Sequence, residues 1–78
     1  PALFHPIALR GLTMRNRIAV SPMCQYVAVE GVPNEWHLAH HGRFALSGVG
    51  LVIAEATGVM PTCRISPGCT GLWSDEQE

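Results

Sequence analysis

The sequence predicts an α/β fold in which a helix connects two parallel strands, and three observations support this. Residues 18–20 and 50–56 are short apolar runs, and residues 35–47 between them have the apolar spacing of a helix. The second run is apolar on both faces, which is typical of a strand in a covered parallel sheet. Strand, helix and strand within about 40 residues make one βαβ unit, which is right-handed in nearly all known proteins.

A small hairpin precedes this unit. Residues 7–9 and 12–14 are short alternating segments on either side of Arg10 and Gly11, as expected for two antiparallel strands. The strand at residues 18–20 is stopped by Pro22, because proline has no backbone N–H to donate to a central ladder.

Local signals mark both ends of the predicted helix. Asn34 is a favourable N-cap, and Glu35 places a negative charge near the positive end of the helix dipole. Gly48 and Gly50 end the helix. Four apolar side chains share one face at i, i+7, i+8 and i+11 spacing, namely Leu38, Ala45, Leu46 and Val49.

The last residues predict the beginning of a second helix. Residues 58–71 form a long loop, and Ser74 followed three residues later by Gln77 is the pattern of a capping box. Two parallel strands and one helix leave sheet edges open and apolar faces uncovered. We therefore expect residues 1–78 to be the incomplete N-terminal segment of one larger (β/α) domain.

The composition excludes several classes of function. Charged residues make up 14% of the chain, below the usual quarter, which favours a segment buried by neighbours. A net charge of −1 argues against nucleic-acid binding. The longest apolar run is far shorter than the roughly 20 residues of a membrane helix. Three irregularly spaced cysteines are no disulfide framework, which predicts a reducing cytoplasm.

The residues after the first strand carry the strongest functional signal. Residues 21–26, here named the first corner, read Ser-Pro-Met-Cys-Gln-Tyr and present a thiol, an amide and a phenol. Residues 55–58, the second corner, follow the second strand in the same way. In a closed (β/α) barrel, function gathers at the carboxyl ends of the strands. We expect both corners to face the same side of the molecule.

Several motifs together resemble the N-terminus of the Old Yellow Enzyme family of NADH:flavin oxidoreductases. The resemblance is closest to the bacterial xenobiotic-reductase and thermophilic-like ene-reductase branch, and it spans essentially the whole chain. Its most specific element is the Ser-Pro-Met-Cys-x-Tyr sequence of the first corner. The other matching residues are Leu3, Phe4, Pro6, residues 12–18, Trp36, His37, residues 50–51, residues 55–57, residues 64–68 and residues 71–75.

The resemblance implies a (β/α)8 TIM barrel that binds FMN without a covalent link. NADPH or NADH would be the hydride donor, and the substrate would be a small molecule with an activated C=C bond, such as an α,β-unsaturated carbonyl or a xenobiotic. No nucleic acid, membrane or metal ion is expected to take part. The complete protein would be a homo-oligomer.

The resemblance also assigns roles to residues of both corners. Cys24 would lie beside the reactive edge of the flavin and tune its potential, and Tyr26 would project into the substrate pocket, which makes these two the expected catalytic residues. The family's carbonyl-binding pair, proton donor and phosphate-binding groups have no counterpart here, so we expect the 78 residues alone to be inactive. The residues assigned to the flavin are Ser21, Pro22, Met23, Cys24 and Ala56.

Plainer roles stay open for the same side chains. Cys24 can be a small buried apolar residue, and Tyr26 a packing residue. The spacing of His37, His40 and His41 suits a metal ion, but no further ligand stands nearby in sequence, so capping and packing roles are favoured.

Three further side chains have expected structural roles, and two alternative functions stay open for the chain. Cys63 and Cys69 are expected to be free thiols, and Glu55 is expected to accept hydrogen bonds from loop amides. The alternatives in function are a barrel segment of a fused flavin-dependent protein, such as an aromatic acyl-CoA hydroxylase, and a non-catalytic fragment.

Overall fold

A hairpin and one parallel strand pair organise the chain, and the computed structural model describes all of residues 1–78. Strand β1 (Ile7–Leu9) pairs with β2 (Leu12–Met14) in antiparallel orientation. Strand β3 (Ala19–Val20) pairs with β4 (Leu51–Val52) in parallel orientation, and helix α1 (Glu35–Leu46) connects them. The predicted hairpin and βαβ unit are confirmed. Three short 3₁₀ helices span Ala2–Phe4, Pro61–Cys63 and Asp75–Gln77.

The parallel strands are shorter than the sequence predicts. Their ladder extends from the bond between Gly50 N–H and Ile18 O, at 3.0 Å, to the bond between Ile53 N–H and Val20 O, at 3.1 Å. It goes no further because β3 leads directly into Pro22, which has no N–H. Residues 54–56 therefore continue beyond the ladder without a partner strand, which corrects the predicted strand over residues 50–56.

Helix α1 begins with a complete capping box. The side-chain oxygen of Asn34 accepts a bond from Trp36 N–H at 3.0 Å, and Nδ1 of His37 accepts one from Asn34 N–H at 3.0 Å. These bonds satisfy backbone donors that the first turn leaves free. The predicted cap and the capping role of His37 are confirmed. At the other end, Gly48 adopts a φ of +90° just past the last turn.

The interior of the structure is polar rather than apolar. Only Ala28 and Cys69 are buried apolar residues. Leu38 and Leu46, on the predicted apolar face of α1, are 77% and 91% exposed, because no other element of the chain lies over that face. The buried polar or charged residues are His37, Glu55, Thr70 and Gln77.

The C-terminal residues fold back onto the loop that precedes α1. Ser74 and Gln77 form the predicted capping box, at the start of a 3₁₀ turn. The amide of Gln77 also donates to Glu30 O at 3.0 Å, which joins the end of the chain to its middle. None of the helices has both the length and the apolar character that crossing a membrane requires.

Candidate functional site

Both corners leave the sheet from the same edge. Because β3 and β4 are parallel, with Ala19 opposite Leu51 and Val20 opposite Val52, their carboxyl ends lie side by side. The first corner follows β3 directly, and the second corner follows β4 after two further residues. The strand ends from which the two corners start therefore lie on the same side of the molecule, as predicted.

The first corner is extended and largely free of backbone hydrogen bonds. None of the backbone N–H groups of residues 21–27 donates a bond. Met23 is 40% exposed, and Cys24 is half-buried. An open stretch of backbone donors beside an apolar side chain is a surface that a flat, polar-edged ring can contact.

Tyr26 has an unusual backbone conformation. Its φ of +59° is in the left-handed region, which aromatic residues seldom adopt. The residue is 59% exposed. Such a conformation costs about 1–3 kcal/mol and is found preferentially at functional sites. Nothing in the sequence around Tyr26 signals it, since neither neighbour is glycine.

Gln25 lies on the helix side of the first corner and fastens it to α1. Its amide nitrogen donates to Met23 O at 2.8 Å, and its amide oxygen accepts from Trp36 Nε1–H at 2.8 Å. The same nitrogen lies 3.4 Å from His40 Nε2, which must be the acceptor because an amide nitrogen only donates. The amide therefore holds the corner in place against the helix.

The imidazole of His40 is electrostatically disfavoured in its charged form. Burial and then the neighbouring His41 and Arg43 lower its pKa below the ordinary value of 6.5, although Glu55 acts in the opposite direction. A neutral imidazole at His40 matches its role as acceptor from Gln25. This pair lines a surface cavity of about 210 Å³ between Gln25 and the residues of α1 that face it.

The second corner contains a buried carboxylate. The Glu55 side chain is 3% exposed, and its Oε1 atom lies 3.4 Å from His37 Nε2. Since Nδ1 of His37 accepts the bond from Asn34 N–H, the imidazole proton lies on Nε2 and faces the carboxylate. The geometry is not that of a hydrogen bond, so neither carboxylate oxygen has a donor. The expected bonds from loop amides to Glu55 are therefore absent.

Residues beyond Glu55 are fastened to a distant loop. Thr57 Oγ1 lies 3.0 Å from Thr70 Oγ1, and Gly58 N–H donates to Thr70 O at 3.0 Å. Ala56, which stands between Thr57 and the buried Glu55, is exposed. A cavity of about 350 Å³ adjoins Glu55 and Thr57 but includes no residue of the first corner. Cys24 and Tyr26 are therefore not part of this cavity.

Residues 66–71, here named the bridging loop, touch both corners. Thr70 contacts the second corner as described, and Gly68 O accepts a bond from Ala28 N–H at 3.0 Å just after the first. A Cβ at Gly68 would lie 2.5 Å from Tyr26 O, so only glycine fits there. The sequence prediction treated this loop as a connection. Its small residues, Gly68, Thr70 and Gly71, are the signal that indicates close packing.

Cys69, in the bridging loop, is the most buried side chain of the protein. It is 1% exposed, and its sulfur lies 3.3 Å from Ser66 Oγ. The hydrogen bond from Ser66, more than any other influence, lowers the pKa of the Cys69 thiol, and the neighbouring Cys24 thiol contributes in the same direction. All three cysteines are free thiols, as predicted for Cys63 and Cys69. No cluster of three His, Cys, Asp or Glu side chains is arranged to hold a metal ion.

Comparison with known proteins decides the family. A model of the NADH:flavin oxidoreductase / NADH oxidase family matches residues 2–78. The chain belongs to this family. Among its relatives, an NADPH dehydrogenase of Geobacillus thermodenitrificans is 47% identical over 76 residues, which are 95% of this chain and 22% of the relative. An NADH:flavin oxidoreductase of Gibberella zeae is 45% identical over 75 residues, or 96% of this chain and 18% of the relative.

Solved structures give the same result. Morphinone reductase in complex with tetrahydroNAD superposes with a TM-score of 0.88 at 34% identity, covering 99% of this chain and 21% of that one. The old yellow enzyme homologue from Zymomonas mobilis gives 0.87 at 35% identity, with the same coverage. The predicted resemblance and the α/β fold are confirmed, and flavin and nicotinamide are the cofactors of this family. The chain spans about a fifth of the length of these relatives.

Proposed function

We propose that the chain forms the N-terminal part of a single FMN-binding (β/α)8 domain, which uses NADPH or NADH to reduce activated C=C bonds. Its membership of the NADH:flavin oxidoreductase family and its one-fifth share of the relatives' length support this. The exposed apolar side chains of Leu38 and Leu46 also support it, because a larger domain would cover them.

The observation that carries the proposal is the open backbone of the first corner. The free N–H groups of Ser21, Met23 and Cys24 lie just past β3, at the edge where barrels of this class place their active sites. A flavin ring has carbonyl oxygens and ring nitrogens along its rim that such donors satisfy. The donor set of this corner therefore fits the group that the family name indicates.

Each assigned residue has a role that follows from its position. Ser21, Pro22, Met23 and Cys24 would line the flavin through their backbone, and the small, exposed Ala56 would let the ring approach the second corner. The chemistry that FMN supplies when bound is hydride transfer between the nicotinamide and the alkene carbon. The Cys24 thiol would tune the reduction potential of FMN by changing the polarity at the edge of the flavin ring.

Tyr26 would contact the substrate. Its left-handed backbone and high exposure point to a side chain held away from the protein interior. A phenol can donate a hydrogen bond to a substrate carbonyl while its ring packs against carbon. We therefore propose α,β-unsaturated carbonyls, including xenobiotics of this type, as the substrate class.

The proposal also covers the cellular compartment and the oligomeric state of the complete protein. Three free thiols suit a reducing cytoplasm. The large exposed apolar surface favours further packing partners within a homo-oligomer, and sedimentation of the complete protein tests this.

Two substitutions in the complete, flavin-loaded protein test the site. Cys24→Ala is expected to shift the flavin midpoint potential, and Tyr26→Phe is expected to raise KM for an unsaturated carbonyl without changing that potential. Cys63→Ala is the matched control, because Cys63 is an exposed free thiol that belongs to neither corner. Unchanged potential in the first variant and unchanged kinetics in the second would refute the assignment.

The 78 residues alone offer a second test. We expect them to bind no flavin tightly, because the first corner and Ala56 provide contacts to only part of such a cofactor. Purifying residues 1–78 and scanning for flavin absorbance checks this. A stoichiometric yellow complex would contradict the expectation.

A further inference from the structure

Glu55 and His37 carry the only buried side-chain polar atoms of the chain that have no hydrogen-bond partner. The atoms are Nε2 of His37 and both carboxylate oxygens of Glu55. The two side chains are 7% and 3% exposed, and His37 Nε2 lies 3.4 Å from Glu55 Oε1. Buried polar atoms in native proteins are nearly always paired, because an unpaired atom loses its bonds to water without compensation. The three atoms therefore indicate a missing partner.

The missing partner of Glu55 must be a donor. An ionised carboxylate only accepts hydrogen bonds, and the single proton of His37 Nε2 cannot satisfy two oxygens. The chain has five arginines and no lysine, and none of the arginines forms an ion pair with Glu55. Two of them donate to backbone carbonyls elsewhere, Arg15 to Val49 O and Arg64 to Pro61 O. The donor is therefore not a cation of these 78 residues.

A cavity beside Glu55 provides space for such a donor. Its volume is about 350 Å³, and no other cavity of the structure includes Glu55 or His37. Glu55 is its only acidic residue, and no arginine lines it. The side chains of Thr57, Thr70 and Gln77, which also line it, already have hydrogen-bond partners. The buried group that still lacks donors at this cavity is therefore a negatively charged acceptor.

We propose that this cavity receives the guanidinium group of an arginine from outside residues 1–78, which binds the Glu55 carboxylate in the complete domain. A guanidinium presents two parallel N–H groups that match both oxygens of a carboxylate, and it stays charged when buried. A lysine ammonium is more strongly hydrated and cannot form this fork. A water molecule can donate, but it has no charge to offset that of a buried carboxylate.

Such a pair would complete the anchoring of the second corner. Within the 78 residues, Gly58 binds Thr70 through its backbone, but the buried charge of Glu55 has only the imidazole of His37 beside it. Because Glu55 directly precedes Ala56, the arginine would connect another part of the domain to the residue that we assign to the flavin. The inference rests on the proposed function only in taking the chain as part of a larger domain, and it requires no bound flavin.

Chemical rescue in the complete protein tests for the cation. Glu55→Ala would leave the arginine buried without its counterion, so the midpoint of thermal unfolding should fall. Sodium formate supplies a small carboxylate that fits the space left by the side chain. We expect formate to raise the midpoint of this variant saturably and more than that of the parent protein, and sodium chloride at the same concentration not to do so. Thr70→Ala is the matched control, because it enlarges the same cavity without removing a charge.

NMR of arginine side chains answers the same question in the parent protein, so the test survives if Glu55→Ala does not fold. In the complete protein with ¹⁵N-labelled arginine, a guanidinium held by two hydrogen bonds gives separate, slowly exchanging Nη signals. We expect one such arginine in the parent protein and expect its separate signals to be lost in Glu55→Gln. Glu35→Gln is the control, because Glu35 is an exposed carboxylate at the start of α1.

The outcomes distinguish an arginine from a water molecule or a protonated Glu55. The proposal is overturned if no arginine gives separate Nη signals, or if such signals persist in Glu55→Gln. It is also overturned if formate raises the midpoints of Glu55→Ala, Thr70→Ala and the parent protein equally. Flavin absorbance of the same samples reports on the proposed function separately. A complete protein that binds FMN but lacks this arginine signal would contradict the present inference alone.

Discussion

The two corners start from neighbouring strand ends but are held in different ways. The first corner is exposed, has no backbone donor bonds of its own, and is fastened to α1 through the side chain of Gln25. The second corner contains the buried Glu55 and is fastened through His37 and through backbone bonds to Thr70. The comparison supports the proposal that the first corner presents groups to a ligand, whereas the second corner, apart from the exposed Ala56, supports the edge on which both stand.

The bridging loop explains how such different corners keep a common geometry. Gly68 packs against Tyr26, and Thr70 binds Thr57 and Gly58, so one short segment contacts both. A change in the loop is therefore expected to disturb both corners, whereas a change in one corner's anchor should disturb that corner alone. Four predictions test this difference.

The largest effect is expected from His37→Ala. The substitution removes the acceptor of Asn34 N–H, and it also removes the imidazole Nε2–H that lies 3.4 Å from the buried Glu55 carboxylate. We expect a loss of about 2–5 kcal/mol in the free energy of unfolding, measured by urea denaturation, because a backbone donor loses its acceptor and the buried carboxylate loses its nearest polar neighbour. Glu55→Gln removes the charge, so the double variant should lose less than the sum of the single losses. Strict additivity would show that the two side chains do not interact.

A smaller loss is expected from Gly68→Ala. The new methyl group would lie 2.5 Å from Tyr26 O, so the bridging loop must move away from the first corner at a cost of about 1–3 kcal/mol. Gly42→Ala is the control, since a Cβ there meets nothing within 4 Å and alanine favours the helix by roughly 0.5–1 kcal/mol. Equal urea midpoints for the two variants would contradict the packing described here.

Gln25→Ala should affect the first corner alone. It removes the bonds to Met23 O and Trp36 Nε1–H, with an expected loss of about 1–2 kcal/mol. Trp36 fluorescence should change because its indole loses its partner, and amide exchange at Gly58 should stay as in the parent chain. Faster exchange at Gly58 would mean that the corners are not anchored separately.

The smallest effect is a pH dependence at His40. Its pKa in the folded chain lies below the ordinary 6.5, so the unfolded chain takes up the proton first as the pH falls. Stability should therefore decrease as the pH falls from 6.5 towards the folded pKa of His40, and level off below it. The measurement is NMR titration of the ring protons together with urea midpoints. His40→Gln should flatten this part of the profile, and a folded pKa above 6.5 would refute the prediction.

Local signals were sufficient to predict the elements and the common edge. Asn34 and Glu35 mark the start of α1, and Pro22 marks the end of β3, because caps and proline act through neighbouring backbone groups. The parallel pairing followed from the apolar run at residues 50–56, although its length was overestimated. Partner strands determine strand length, and a single segment does not contain that information.

Features that depend on distant contacts were not predictable. The positive φ of Tyr26 is imposed by its surroundings, and the pairing of His37 with Glu55 joins residues 18 apart in sequence. The same holds for Cys69, which the sequence indicates only as a thiol in a Pro- and Gly-containing loop. The apolar periodicity of α1 correctly indicated a helix, but it did not reveal that Leu38 and Leu46 are uncovered in these 78 residues.

Protection of Cys24 by FMN is the most direct test of the claim that the first corner contacts the flavin. The complete protein is alkylated with iodoacetamide in the presence and absence of FMN, and tryptic peptides report Cys24 and Cys63 separately. We predict that FMN slows the alkylation of Cys24 and leaves that of Cys63 unchanged. Equal alkylation rates of Cys24 with and without bound FMN would contradict the account.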